Sequence, residues 1–208
     1  TAMHFVIGKL VDEGSLDLSK PVTHYIPDIG TGYAEASIQQ VLDMDVINNF
    51  NEDYSTPYIR SLSAEATTSY QRQEIAMGWR LPPEGEDDFS MREFTSSLTS
   101  DNVVNPTKNC EYRSPNTDLL AWIAEVVTGR SVRDFLVEII EAVGIEGTYF
   151  IGTDCDNVPV VSGGGAMTTR DLARYGQLFV RRGMGINGNR VGSATFMDET
   201  RSGRGTIM

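Results

Sequence analysis

The chain has 208 residues, 40% of them hydrophobic, enough for one domain with a proper core. Its 17 Lys and Arg stand against 29 Asp and Glu, a formal net charge of −12; that balance argues against a nucleic-acid partner, because phosphate binding needs clustered cations. No apolar run reaches the ~18–20 residues of a membrane span, and Thr1-Ala2-Met3-His4-Phe5 lacks the basic start and cleavage site of a signal peptide, reading instead as the inside of a helix.

In chain order, residues from Ala2 to about Glu13 read as an apolar helix carrying Phe5, Val6, Leu10 and Val11, stopped by Gly14. A turn through Leu16–Pro21 leads to Val22–Ile26, closed by Pro27, and Ser37–Met44 reads as a short amphipathic helix. Residues 48–88 are polar, with Trp79 and the pair Pro82-Pro83, and so long a connection without strong periodicity reads as functional or mobile. Regular structure resumes over Ser90–Leu98. Ser114 is then a candidate N-cap with Pro115 at the first helical position. Leu119, Trp122, Ile123 and Val126 share one face of the helix it opens, which Gly129 ends. Ser131 with Asp134 forms a capping pattern for a helix running toward Gly144. Gly147–Gly152, rich in Tyr, Phe and Ile, is a strand candidate. Thr168 with Asp171 repeats the capping pattern before a helix lined by Leu172, Tyr175 and Phe179, which ends at Gly183; Asn187-Gly188 marks a turn and a candidate hairpin. Helix dominates, and the strand signals are too few for a full sheet from these residues.

The side chains that could carry chemistry narrow the choice. His4 and His24 are the only histidines, without the spacing of a metal-ligand set, and they make a Ser-His-Asp triad improbable. No glycine fingerprint for a nucleotide is present. Cys110 and Cys155 could pair, but two cysteines without framework spacing read rather as free thiols of a reducing compartment; a cytoplasmic setting is favoured over a periplasmic one. Tyr112 stands directly ahead of the strong helix start at Ser114-Pro115, which holds its phenol at the rim of whatever cleft that helix borders.

Several blocks together resemble the serine β-lactamase-like hydrolases. They are Leu10-Val11-Asp12-Glu13-Gly14; Pro21-Val22-Thr23 with Tyr25-Ile26-Pro27; Val41-Leu42-Asp43-Met44; Asn51-Glu52-Asp53-Tyr54; Gly78-Trp79; Tyr112-Arg113-Ser114-Pro115-Asn116-Thr117-Asp118; and Gly163-Gly164-Gly165 with Thr169–Arg174. Each is short, but their joint order is hard to reach by chance. Within the superfamily, the Asn-Glu-Asp-Tyr block and the Tyr-x-Ser-x-Asn-Thr-Asp form are most similar to the 6-aminohexanoate-dimer hydrolases and related carboxylesterases. The resemblance implies an α/β (α+β) β-lactamase/transpeptidase-like fold, of which residues 1–208 supply a middle portion, mostly the helical lobe, with N- and C-terminal sheet strands lying elsewhere. The family's Ser-x-x-Lys occurs nowhere here; alignment puts its Lys immediately or almost immediately before Thr1, and the Lys/His-Thr-Gly strand well beyond Met208. A portion of a longer enzyme is therefore favoured over a degenerate relative.

What the resemblance implies for function is a serine hydrolase cleaving a linear amide or ester through an acyl-enzyme. Ser attacks, Lys takes its proton, and Tyr112 relays a proton to the leaving group, with no cofactor needed. Tyr54, Glu74, Trp79 and Ser114 are the candidate substrate contacts. Each has a plainer reading: Glu74 as a solvated helix charge, Trp79 as core, Ser114 as helix cap, and Gly163–Gly165 as a flexible lead-in to the next helix. Ser100-Asp101-Asn102 matches a three-letter β-lactamase motif but lacks the helix that should follow it, and it reads as a decoy. The alternatives are a β-lactamase or DD-peptidase, and a non-catalytic relative binding peptide or cell wall.

Overall fold

The computed structural model describes residues 2–52, 54 and 68–203. Among them the chain forms eight α-helices: α1 Ala2–Asp12, α2 Ile38–Leu42, α3 Ser69–Ala76, α4 Met91–Ser97, α5 Ser114–Thr128, α6 Val132–Val143, α7 Thr169–Val180 and α8 Ala194–Arg201, with a 3-10 turn at Val22–His24. None is long and apolar enough to cross a membrane. β structure among the described residues is limited to five isolated antiparallel bridges, so this stretch is a helical body.

Local signals set most helix boundaries. Ser37, Ser90 and Ser131 each accept from the backbone N–H three residues on, and the side chain at that position reaches back to close a capping box. Thr168 caps α7 through the Asp171 N–H, and α5 and α6 end on left-handed Gly129 and Gly144. The interior sits around α5, which packs against α1, α2, α4 and α6. Its buried side chains include Leu119, Leu120, Ile123 and Ala124, while Phe5, Ile7 and Leu10 come from α1. Burying each large aliphatic side chain contributes about 1.5–3 kcal/mol. A buried polar link adds direction: the fully buried Tyr33 donates its hydroxyl to Asn116 Oδ1 (2.7 Å), and Asn116 Nδ2 donates to the Val41 carbonyl (3.2 Å). This pins α5 over the end of α2.

Four expectations change. The α5 stripe is shifted: Trp122 is half-buried and Val126 is half exposed, because contacts from four helices wrap the faces carrying Leu120 and Ala124 instead. Gly147–Gly152 is no strand, since its pairing stops at a single bridge in which Phe150 and Ala166 exchange backbone bonds of 2.9 and 2.8 Å. The 48–88 connection contains α3, started by the reciprocal cap between Thr68 and Gln71; residues 55–67 of that connection and Asp53 lie outside the described residues. On α7, Leu172 and Phe179 remain at the surface and only Asp171 and Leu178 are buried. The turn at Asn187-Gly188 is present, within a short loop closed by the Met184–Arg190 bridge.

Candidate active site

Tyr112 lies just before α5, on backbone held from both sides. Ahead of it, the Glu111 N–H donates to the Met44 carbonyl at 2.8 Å. Behind it, the buried Arg113 guanidinium donates through Nε to the Val46 carbonyl (2.9 Å) and through Nη1 to the Phe50 carbonyl. Burial lowers the Arg113 pKa from its ordinary value, opposed by the nearby Tyr33, Glu111 and Glu52. The Tyr112 side chain is 56% exposed. Its main chain is anchored, and its phenol is open.

Ser114 is not the N-cap. That position is Arg113, which provides no side-chain cap; Ser114 is the first helical residue and is buried. The correction has a physical cause, since the cap comes from elsewhere in the chain. Glu52 Oε2 accepts from the Ser114 N–H (2.8 Å), and Oε1 accepts from the Ser114 hydroxyl (2.7 Å). A carboxylate there satisfies an orphan helix N–H and meets the positive end of the helix dipole.

The same Oε1 accepts from the Tyr54 hydroxyl (2.5 Å). Tyr54 is 63% exposed, and its ring meets that of Tyr70 edge-on at 5.0 Å. Local desolvation, then the bond to Glu52 and that carboxylate's charge, hold the Tyr54 phenol well above its usual pKa. Tyr70 is pushed up by desolvation and next by the carboxylates of Glu74 and Glu52. Tyr112 lies near enough to both phenols to raise them a little further. Glu52, Tyr54 and Tyr70 therefore form one cluster at the start of α5, beside Tyr112.

Trp79 is delivered by the end of α3. The Glu74 carbonyl accepts from the Trp79 N–H (2.8 Å) and the Arg80 N–H (3.1 Å), closing the turn through Gly78. Glu74 is not a solvated charge: its side chain is 10% exposed and its carboxylate is bound by Arg80 at 2.8 Å. The indole is 42% exposed, so Trp79 is not simple core. Its inner edge rests on Gly163 and Gly164, where an added Cβ would fall 3.0 and 2.9 Å from ring carbons. Gly164 also has φ +75°, a conformation other residues adopt at a cost. The triglycine is therefore a seat for the indole.

Asp118 on α5 holds that seat in place, Oδ1 accepting from the Val161 N–H (2.9 Å) and the Ser162 N–H (3.2 Å). Burial raises its pKa to about 6 against the pull of those bonds. One helix thus carries the Tyr112 cluster at its start and anchors the Trp79 seat one turn later. On the far side of the loop, Gly163 and Gly165 line an apolar cavity of about 170 Å³ with Leu136, Ile139, Tyr149 and Tyr175, which offers no charged group for chemistry. Ser100 and Asn102 spend their side chains on local turns, accepting from the Asn102 and Val104 N–H groups. Both cysteines are free thiols.

The sequence reading named Tyr54, Glu74, Trp79, Tyr112 and Ser114 but missed Glu52, Tyr70 and Arg113. Glu52 had a signal, its place in the Asn-Glu-Asp-Tyr block; nothing local marked Arg113 as buried.

The chain resembles known proteins in sequence and fold. The family described as "Beta-lactamase" matches residues 5–206. A 6-aminohexanoate-dimer hydrolase of Paenarthrobacter ureafaciens is 34% identical over 200 residues, which cover 95% of this chain and 47% of that protein. Among solved structures, a protein assigned as a 6-aminohexanoate-dimer hydrolase from Bacillus anthracis superposes with TM-score 0.77 at 23% identity, over 95% of this chain and 50% of that one. A D-stereospecific amidohydrolase from Streptomyces sp. superposes with TM-score 0.59 at 14% identity, over 95% and 61%. The chain spans about half the length of the first two, and its fold is the helix-rich part of the β-lactamase/transpeptidase-like architecture. With the order of its motifs, the placement of its helices and the family match over residues 5–206 in agreement, this chain belongs to the beta-lactamase family.

Proposed function

We propose that this chain is part of a serine hydrolase that cleaves a linear amide or ester through an acyl-enzyme. The nucleophilic Ser and its Lys come from sequence outside these 208 residues. The Ser oxygen attacks the carbonyl carbon while the Lys amine takes its proton. Tyr112 passes a proton to the departing nitrogen or oxygen, and the amine or alcohol leaves. Water then attacks the acyl-enzyme and returns the Ser. The observation that carries this reading is the open phenol of Tyr112 on backbone pinned at Glu111 and Arg113. A proton relay needs such a pairing, a reachable hydroxyl with little freedom to wander.

Tyr54 and Trp79, each substantially exposed, are the aromatic walls of the substrate cleft in this proposal. Ser114 can offer a hydroxyl lone pair, its proton being given to Glu52. Glu74, its charge matched by Arg80, acts on an amine-bearing substrate only through that pair. A linear amide is favoured because the 34%-identical relative is a 6-aminohexanoate-dimer hydrolase.

The test compares turnover of a short-chain p-nitrophenyl ester, a linear amide and a chromogenic cephalosporin by the full natural chain, with and without a fluorophosphonate probe. Ester or amide turnover abolished by a single probe adduct supports the proposal. Hydrolysis of the cephalosporin alone would replace it with a β-lactamase, and no turnover and no adduct would leave a binding protein.

A further inference from the structure

Glu52 spends its carboxylate on three donors from two different stretches of chain: the Ser114 N–H, the Ser114 hydroxyl and the Tyr54 hydroxyl, at 2.8, 2.7 and 2.5 Å. A helix cap needs only the first. The N-cap residue of α5, Arg113, supplies no side-chain acceptor, whereas the caps of α6 and α7 are local. The cap instead arrives from 62 residues upstream, on the segment whose Val46 and Phe50 carbonyls also hold Arg113. Tyr112 is thus bracketed by ties that all lead to residues 44–54, through Glu111, Arg113 and Ser114. Its own phenol has no hydrogen bond among the described residues. Among the described residues, the hydrogen bonds that set its place are those of its chain neighbours.

The geometry points to Glu52 as the positioning residue for Tyr112 in the reaction, fixing the start of α5 and the Tyr54 side chain to one carboxylate so that the two phenols keep a constant relation. This rests on the proposed relay role of Tyr112. Glu52 itself transfers no proton: every donor it faces is a group it orients. Removing it frees the Ser114 N–H, the Ser114 hydroxyl and the Tyr54 ring together, and a displacement of about 1 Å at a reacting group can cost about 100-fold in rate.

The experiment measures kcat and KM for a p-nitrophenyl ester in the full natural chain and in Glu52→Ala, Glu52→Gln, Ser114→Ala and Tyr112→Phe. Rates are normalised to sites titrated by a fluorophosphonate, so that misfolded protein is not counted. The expected result is a loss of roughly 10- to 100-fold in kcat for Glu52→Ala with little change in KM. Glu52→Gln, which keeps one acceptor oxygen and the side-chain shape, recovers part of it, and Ser114→Ala loses less than Glu52→Ala. Hydrogen exchange at the Ser114 amide quickens in Glu52→Ala. A purely structural role would lower the titratable fraction and leave kcat per site unchanged, and that result overturns the inference. So does unchanged Ser114 exchange. If Tyr112→Phe turns over normally, the relay reading falls and this inference with it; if Tyr112→Phe is inactive while Glu52→Ala keeps its kcat, only this inference falls. Should Glu52→Ala not fold, Glu52→Gln and Ser114→Ala carry the same comparison.

Discussion

A methyl group added at Gly163 falls 3.0 Å from Cη2 of Trp79, and one added at Gly164 falls 2.9 Å from Cζ2. Both are closer than carbon atoms rest in contact, about 3.5–4.0 Å, so the indole must shift by several tenths of an ångström. The two positions differ in one respect, since Gly164 is left-handed at φ +75° while no such conformation is recorded at Gly163. Gly163→Ala therefore carries only the crowding, near the low end of overpacking at about 1 kcal/mol because the indole is partly exposed and can give way. Gly164→Ala adds backbone strain of about 1–2 kcal/mol, for a total of roughly 2–3 kcal/mol. With about 2–4 °C lost per kcal/mol in a chain of this size, Gly163→Ala melts a few degrees low and Gly164→Ala about two to three times further down. In a Trp122→Phe background, which leaves Trp79 as the one tryptophan of these 208 residues, both variants shift the emission toward that of a more solvated indole. Thermal melts and fluorescence spectra decide it. Unchanged emission in Gly163→Ala would refute the seating of Trp79, and equal melting losses would refute the strain assigned to Gly164.

Three further outcomes follow from buried polar groups. Tyr33→Phe leaves Asn116 Oδ1 without its donor and should cost about 1–3 kcal/mol in denaturant unfolding, with the Asn116→Ala and double variants showing strong coupling. Asp118, raised from 3.8 to about 6 in the folded protein, contributes stability that is fully present below pH ~4 and lost as pH rises through about 6. Asp118→Asn keeps an acceptor for Val161 and Ser162 but lacks that loss, so its melting temperature relative to the parent improves between pH 4.5 and pH 7. Asp171 has the opposite sign: the N–H groups of Glu146 and Gly147, with Thr168 and Arg174, hold it down at about 2. Its contribution is present above pH ~4 and lost as pH falls toward 2, and acid unfolding of Asp171→Asn should lack that part of the transition.

What the sequence made legible divides by range. Capping at Ser131 and Thr168 is complete within four residues, and both helices start where those residues stand. At α5 the Ser-Pro start was equally visible, yet its cap was misplaced by one residue because Glu52 is 62 residues upstream. No window along the chain contains both partners. Glu74 looked solvated because its partner Arg80 lies beyond the end of α3, across the turn at Gly78. The triglycine looked like a flexible lead-in because the ring that needs the missing Cβ atoms, Trp79, is more than 80 residues away. The strand at Gly147–Gly152 failed for the converse reason: its residues suit a strand, but pairing decides, and Ala166 is where it stops. The tyrosine ahead of α5 was found by resemblance, and periodicity alone would have left it a helix-flanking aromatic.

The measurement closest to the centre of the account is single-turnover acylation and steady-state kcat for a p-nitrophenyl ester in Tyr112→Phe, made in the full natural chain. The Tyr112 side chain is 56% exposed and makes no hydrogen bond among the described residues, so removing its hydroxyl should leave the melting temperature within about 2 °C, as expected of a surface substitution. A proton relay lost from the reaction costs about 100- to 10,000-fold, and the account predicts a fall in kcat of that size. A variant that melts like the parent and keeps its rate within about twofold would contradict it.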